Sequence, residues 1–159
     1  AAIQGLFENK LMILCEIEKT AISLQERALS TLSQMKMRLR YMDAESHDKH
    51  VAYVSHLSHI SSFMLGKTVM DKEVDDRNIF DLAGSGFAST VRLAKSSPEM
   101  WAPIFLQNKE HLSHTLDAYI SNLQSFKKMI DSEDIEGLKT EMKRINAIEK
   151  ILNPLPLTT

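Results

Sequence analysis

All six histidines of the chain fall in His-x-x-His pairs: His47 with His50, His56 with His59, and His111 with His114. Imidazoles serve as acids or bases, as metal ligands, or as partners for an acidic ligand. Metal is the poorest fit. A zinc site needs three or four converging ligands, the lone Cys15 joins no pair, and no acidic cluster completes one. The middle pair lies in HDKHVAYVSHLSHISSFMLG, residues 47–66, where Val51, Val54, Leu57, Ile60 and Met64 recur at helical spacing. At roughly 100° per residue the first two pairs face opposite sides of one helix. His47 and His50 then face solvent in the first turn. His56 and His59, with Ser55, Ser62 and Phe63 nearby, form a candidate pocket wall. Hydroxyls and imidazoles on a buried helix need partners. Either the protein satisfies them as core or interface residues, or a polar ligand does.

Arg92 is the other group with chemistry to offer. Phe87, Val91 and Leu93 surround it in a short predicted helix, 87–95. A half-buried guanidinium needs an anion, either an internal carboxylate or an acidic ligand. Just before it, Gly84-Ser85-Gly86 breaks the chain and allows a tight turn or close backbone approach. No GxGxxG pattern or preceding strand makes it a dinucleotide loop.

The elements that must position these groups read as mostly helical. Ala1–Asn9 resembles a helix tail. Lys10–Cys15 is a short apolar run, expected as a buried strand with nothing in this chain to pair with. Thr20–Ser33 reads as a helix, and Met37–Met42 as a half-exposed strand. Asp43 sits where the N-cap of the long helix belongs, and the charged stretch 68–78 reads as a loop. A short helix is expected at 78–83. Ser97-Pro98-Glu99 is a strong helix start, with a kink or restart at Pro103. Phe105, Leu112, Leu116, Tyr119, Leu123, Phe126 and Ile130 make a heptad-like seam that wants a partner helix. Ile135–Leu152 continues as a final helix, antiparallel to it, with order ending at Asn153-Pro-Leu-Pro.

The 159 residues suit one domain with a real core. A net charge of −2 argues against nucleic-acid binding. No apolar run reaches about 18 residues, so no membrane span is expected. The single cysteine and the lack of a visible signal peptide suggest a cytoplasmic address. The chain opens on Ala1 inside an amphipathic pattern, as a piece of a longer protein would. Nine methionines suit adaptable subunit interfaces.

Two segments then carry a resemblance. HDxxxAxxSHLxH followed by GSGFxxTxRLAxSxPxMWxxIFxxN resembles the prephenate/arogenate dehydrogenase family of tyrosine biosynthesis. The matching residues are His47, Asp48, Ser55, His56, Leu57, His59, Gly86, Phe87, Thr90, Arg92, Pro98, Met100, Trp101 and Asn108. The resemblance implies an all-helical dimerisation domain, like the C-terminal domain of 6-phosphogluconate dehydrogenase, with a short N-terminal remnant of a Rossmann sheet. Residues 1–19 would be the tail of the nucleotide-binding domain, and 20–159 the helical dimerisation and substrate-binding domain. The implied reaction of the full enzyme is oxidative decarboxylation of prephenate to 4-hydroxyphenylpyruvate with NAD or NADP. The catalytic histidine and the dinucleotide-binding glycines would lie upstream of Ala1, leaving no catalytic residue in this chain.

What carries over is substrate recognition. Arg92 matches the arginine that pairs with a prephenate carboxylate. His56, His59 and Ser55 match the Ser-His-Leu-Pro-His motif, Trp101 the tryptophan at the pocket edge, and Gly86 the glycine of the Gly-Phe segment. The family further implies a homodimer. Ser58 departs from the usual Pro, which predicts a less kinked helix. Ala88 and Ser89 replace a common basic-acidic pair. Two alternatives stay open: arogenate dehydrogenase of the same family, and a non-catalytic helical module for dimerisation or tyrosine sensing.

Overall fold

The apolar run Leu11–Cys15 forms strand β1, and Arg38–Met42 forms β2. The computed structural model, which describes residues 3–76 and 78–152, pairs them in parallel from Leu11 opposite Arg38 to Cys15 opposite Met42. The expectation that β1 finds no partner within the chain is therefore overturned. Parallel neighbours need a long crossover, and helix α1, Ile22–Gln34, supplies it. Met12 of β1 shares a cleft with Leu24, Ala28 and Leu32 of α1. A sheet of two strands covers little, so β1 is half-buried at best. Residues 4–9 form turns in place of the expected helix tail. Gly5 takes a left-handed φ of 70°, and its carbonyl accepts from the Glu8 amide.

Asp43 caps the next helix, α2, Ala44–Val51, accepting from the Ser46 amide at 2.7 Å and from its hydroxyl at 2.8 Å. These two bonds, the amide first, hold the Asp43 carboxyl below its usual range. The helix then widens into a π-turn over Ala52–His56, closed by the Leu57 amide on the Ala52 carbonyl, and continues as α3, Leu57–Asp75. This corrects the loop expected from residue 68. The charges there lie on a helix surface, where Lys67 and Asp71 pair one turn apart. The Arg77 part of that expectation lies outside the described residues. Beyond α3, the Glu73 carboxylate accepts from the Asn78 and Phe80 amides, and Phe80–Leu82 forms a 3-10 turn.

Helix α4, Ser85–Thr90, begins immediately after Gly84, and a 3-10 turn, Arg92–Lys95, follows it. Gly84 has φ −88°, and Gly86 is helical. The tight Gly-Ser-Gly turn is thus replaced by an ordinary helix start. Ser97 caps α5, Pro98–Gln107, through the Met100 amide. The helix runs through Pro103, which forfeits one intrahelical bond. The break falls instead at Asn108, whose carbonyl accepts from Leu112 in α6, Lys109–Asp131.

Two compact units divide the chain, Ala1–Ser113 and His114–Thr159. Within the second, Asp134 caps α7, Ile135–Ile145, by accepting from the Gly137 amide at 2.9 Å. Asn122, Phe126 and Met129 of α6 line a cleft with Glu141 and Ile145 of α7, as an antiparallel hairpin requires. The expected last helix is split at Asn146–Ala147, and α8 covers Ile148–Leu152. The predicted stop at Asn153 lies outside the described residues. No helix among the described residues is long and apolar enough to cross a membrane. Within residues 1–113 the buried set is small and half polar. Ala52, Trp101 and Leu112 are joined by His56, Ser62 and Asn108.

Candidate functional site

Two of those buried polar residues meet at the π-turn, His56 within it and Asn108 facing His56. His56, the last residue of the turn, is 7 % exposed, and Trp101, one turn into α5, is 9 % exposed. His59 stacks on the Trp101 indole with ring centroids 3.4 Å apart and planes 25° from parallel. His56 meets the same indole edge-on at 6.1 Å and the Phe105 ring at 6.3 Å. Trp101 and Phe105 are 5.5 Å apart. Two imidazoles thus share one aromatic wall. The π-turn makes this possible, because an added residue in the turn re-aims whatever follows it.

Hydrogen bonds fix both rings. His59 Nδ1 lies 3.0 Å from the Ser55 carbonyl. A carbonyl only accepts, so Nδ1 carries a proton. Ser55 therefore acts through its backbone. His56 Nδ1 lies 3.3 Å from Asn108 Nδ2, which also donates to the Asp48 carbonyl at 2.8 Å. Burial pushes the His56 pKa down; Asp48 opposes this, while His59 and His47 add to it. The Trp101 Nε1–H is buried with no acceptor among the described residues. Such an orphan donor costs free energy unless something accepts from it.

Arg92 is exposed, which corrects its expected half-burial, and it has no ion pair or hydrogen bond among the described residues. Its backbone is nevertheless pinned. Ser62, 2 % exposed, donates to the Thr90 carbonyl at 2.9 Å and accepts from the Ala94 amide at 3.1 Å. Ser62 follows His59 by three residues, about 4.5 Å along α3. The segment bearing Arg92 is thereby clamped one turn from the stacked imidazole. The Gly66 and Ala94 contact, with 3.8 Å for a Cβ added at Gly66, continues that packing.

Other expected groups stand apart. Gly86 sits exposed in α4, and a Cβ there would meet nothing within 4 Å. His50 is exposed, as expected of the first turn, while His47 is half-buried with Nδ1 2.9 Å from Asp48 Oδ1. His111 Nε2 pairs with Glu45 Oε1 at 3.1 Å. No group of three or more His, Cys, Asp or Glu gathers among the described residues. Ser58, in the usual Pro position, bonds the Val54 carbonyl through its hydroxyl at 3.2 Å. Sequence reasoning set Phe105 in the heptad-like seam, whereas its ring packs against His56 and Trp101; it gave Asn108 no role beyond the motif, although Asn favours helix ends.

Among the described residues no glycine-rich turn follows a strand. The turn from β1 into α1, residues 16–21, carries Glu16 and Glu18 and no glycine. Pyrophosphate binding needs bare backbone and no fixed negative charge at that turn.

Comparison with known proteins gives the arrangement a context. The family model described as "Prephenate dehydrogenase, dimerization domain" matches residues 43–144, starting at the α2 cap. Prephenate dehydrogenase of Bacillus subtilis (strain 168) is 30% identical over 142 residues, covering 87% of this chain and 37% of that protein. Cyclohexadienyl dehydrogenase of Zymomonas mobilis is 33% identical over 107 residues, covering 67% of this chain and 36% of that protein. The chain thus spans little more than a third of these relatives. Among solved structures, prephenate dehydrogenase from A. aeolicus, in complex with hydroxyphenyl propionate and NAD+, superposes with a TM-score of 0.83 at 29% identity. It covers 95% of this chain and 53% of that one. Synechocystis arogenate dehydrogenase shares the fold, with a TM-score of 0.77 at 22% identity, over 94% of this chain and 54% of that one.

Proposed function

Since this chain belongs to the prephenate dehydrogenase dimerization-domain family, we propose that it is the substrate-binding and dimerising part of a larger prephenate dehydrogenase. The whole enzyme would oxidise prephenate with NAD or NADP, releasing CO2 and 4-hydroxyphenylpyruvate. The carrying observation is the two-imidazole aromatic wall, one helical turn from a backbone-clamped segment whose Arg92 has no anionic partner among the described residues.

This chain's part is orientation and charge placement. Arg92 pairs with one carboxylate of the dianion, for which its planar fork is suited. His56 and the orphan Trp101 Nε1–H offer donors to the substrate's oxygens, and His59 on its indole, held by the Ser55 carbonyl, lines the wall for the ring. Gly86, exposed in α4, is the remaining residue that the resemblance assigns to the substrate. The acidic, glycine-free turn after β1 supports placing the dinucleotide on residues beyond this chain. Residues 1–19 belong to that nucleotide-binding part, and the βαβ unit extends it to Met42. The start of the family match at Asp43 supports this boundary. The family and the exposed seam residues Leu123, Ile130, Met142 and Ile145 support a homodimer.

The test is turnover by the intact protein with NAD+ or NADP+ and either prephenate or arogenate. Reduced nicotinamide, CO2 and 4-hydroxyphenylpyruvate formed one for one from prephenate is the expected result. Oxidation of arogenate alone would move the substrate assignment to arogenate. Oxidation of neither would overturn the proposal and favour a non-catalytic module.

A further inference from the structure

Asn108 stands at the junction of α5 and α6, 9 % exposed, with its side chain directed back at α2 and the π-turn. Its amide orientation is fixed by chemistry. The Asp48 carbonyl, 2.8 Å away, can only accept, so the group facing it is Nδ2 and not the amide oxygen. The same –NH2 has a second hydrogen, and His56 Nδ1 lies 3.3 Å from it. A nitrogen that faces a donor must present its lone pair. His56 therefore lacks a proton at Nδ1, and the neutral ring carries its proton at Nε2.

We infer that Asn108 is a positioning residue that holds His56 as the neutral Nε2–H tautomer, so that the site meets its acidic ligand with a fixed imidazole donor. The consequence is a division of labour between the two rings. His59 has its proton committed at Nδ1 to the Ser55 carbonyl and offers Nε2. His56 has its lone pair committed at Nδ1 to Asn108 and offers Nε2–H. Neighbouring imidazoles on one wall then present opposite hydrogen-bonding characters while both are neutral. Arg92 remains the permanent cation of the set.

The groups around His56 can be named. Asp48 and His47 come from α2, and His59 from α3; Asp48 favours the protonated ring, and the two histidines oppose it. From α5 and the α5–α6 junction come Trp101, Phe105 and Asn108, none of which carries charge. A carboxylate at 108 would reverse the pattern. It would accept from a protonated Nδ1 in place of donating to a bare one, and it would add an anion against the ring. The tautomer itself does not depend on the proposed function; only what Nε2–H meets rests on that reading.

The experiment is nitrogen NMR on the intact protein labelled with 15N-histidine, with the His56 signals identified by their loss in His56→Gln. In the wild type near neutral pH, Nδ1 is expected as the unprotonated nitrogen and Nε2 as the protonated one. In Asn108→Asp, Nδ1 is expected to gain a proton, and the His56 titration midpoint to rise by roughly one to three pH units. A wild-type proton found at Nδ1 overturns the inference. So does an Asn108→Asp protein, folded by circular dichroism, whose His56 midpoint is unmoved. Should Asn108→Asp fail to fold, the wild-type spectrum decides alone. Prephenate kinetics on the same samples separate the two claims. If the tautomer is as inferred but prephenate is not turned over, the functional proposal falls and the role of Asn108 stands.

Discussion

Ser62→Ala removes one oxygen and tests whether the Arg92 segment is held as described. That oxygen makes two bonds, to the Thr90 carbonyl at 2.9 Å and from the Ala94 amide at 3.1 Å, at a residue only 2 % exposed. Each such bond contributes about 0.5–1.5 kcal/mol net. Both backbone partners lie close enough to the surface to recover some water, so a loss of roughly 1–2 kcal/mol is expected, a factor of about 5–30 in local opening. Amide exchange in the intact protein reads this directly: the Ala94 N–H should exchange about 5- to 30-fold faster, with α1 and α7 unchanged. Because the loosened segment carries Arg92, the KM for prephenate should rise more than turnover falls. Ser62→Thr keeps the hydroxyl and should retain Ala94 protection. An alanine variant with wild-type exchange at Ala94 would refute the clamp.

Three further outcomes follow from the same geometry. Trp101→Phe keeps an aromatic face for His59 and deletes the orphan N–H, so it should cost less than about 1.5 kcal/mol, whereas Trp101→Ala should cost about 3–5 kcal/mol; comparing the two by chemical denaturation checks both. Burial lowers the His56 pKa in the folded state, so below the unfolded value of about 6.5 the unfolded chain binds more protons. His56 therefore adds stability above that pH that is lost as pH falls through it, by at most about 1.4 kcal/mol per pH unit; thermal unfolding from pH 8 to 5 should show a shallower decline in His56→Gln. For dimerisation, Leu123→Asp with Ile145→Asp should convert a species of twice the 18.0 kDa chain into a monomer in sedimentation.

The helical class was legible because side-chain spacing carries it, and the motif residues, Trp101 among them, through the family resemblance. His56, His59 and Trp101 do meet, although periodicity alone left His56 and His59 open to a bland core role. Three features left no mark at that level. The π-turn at Ala52–His56 is one extra residue in a turn, and neither composition nor spacing distinguishes it from α-helix. The pairing of β1 with β2 joins residues about 27 apart, beyond the reach of a local pattern. The charged stretch 68–78 suggested a loop, yet Asp71, Lys72 and Glu73 lie on a helix that ends at Asp75. Arg92 illustrates the opposite error. Apolar neighbours in sequence suggested half-burial, while the 3-10 turn leaves it exposed and unpaired among the described residues.

Arg92→Ala in the intact protein, assayed with prephenate, bears most directly on the claim that Arg92, on a segment whose backbone Ser62 holds one turn from His59, receives a small dianionic acid. A charge-assisted bond contributes about 1.5–3 kcal/mol, so the KM should rise about 10- to 150-fold while the fold and nicotinamide binding are retained. Unchanged KM and turnover in a folded variant would contradict it.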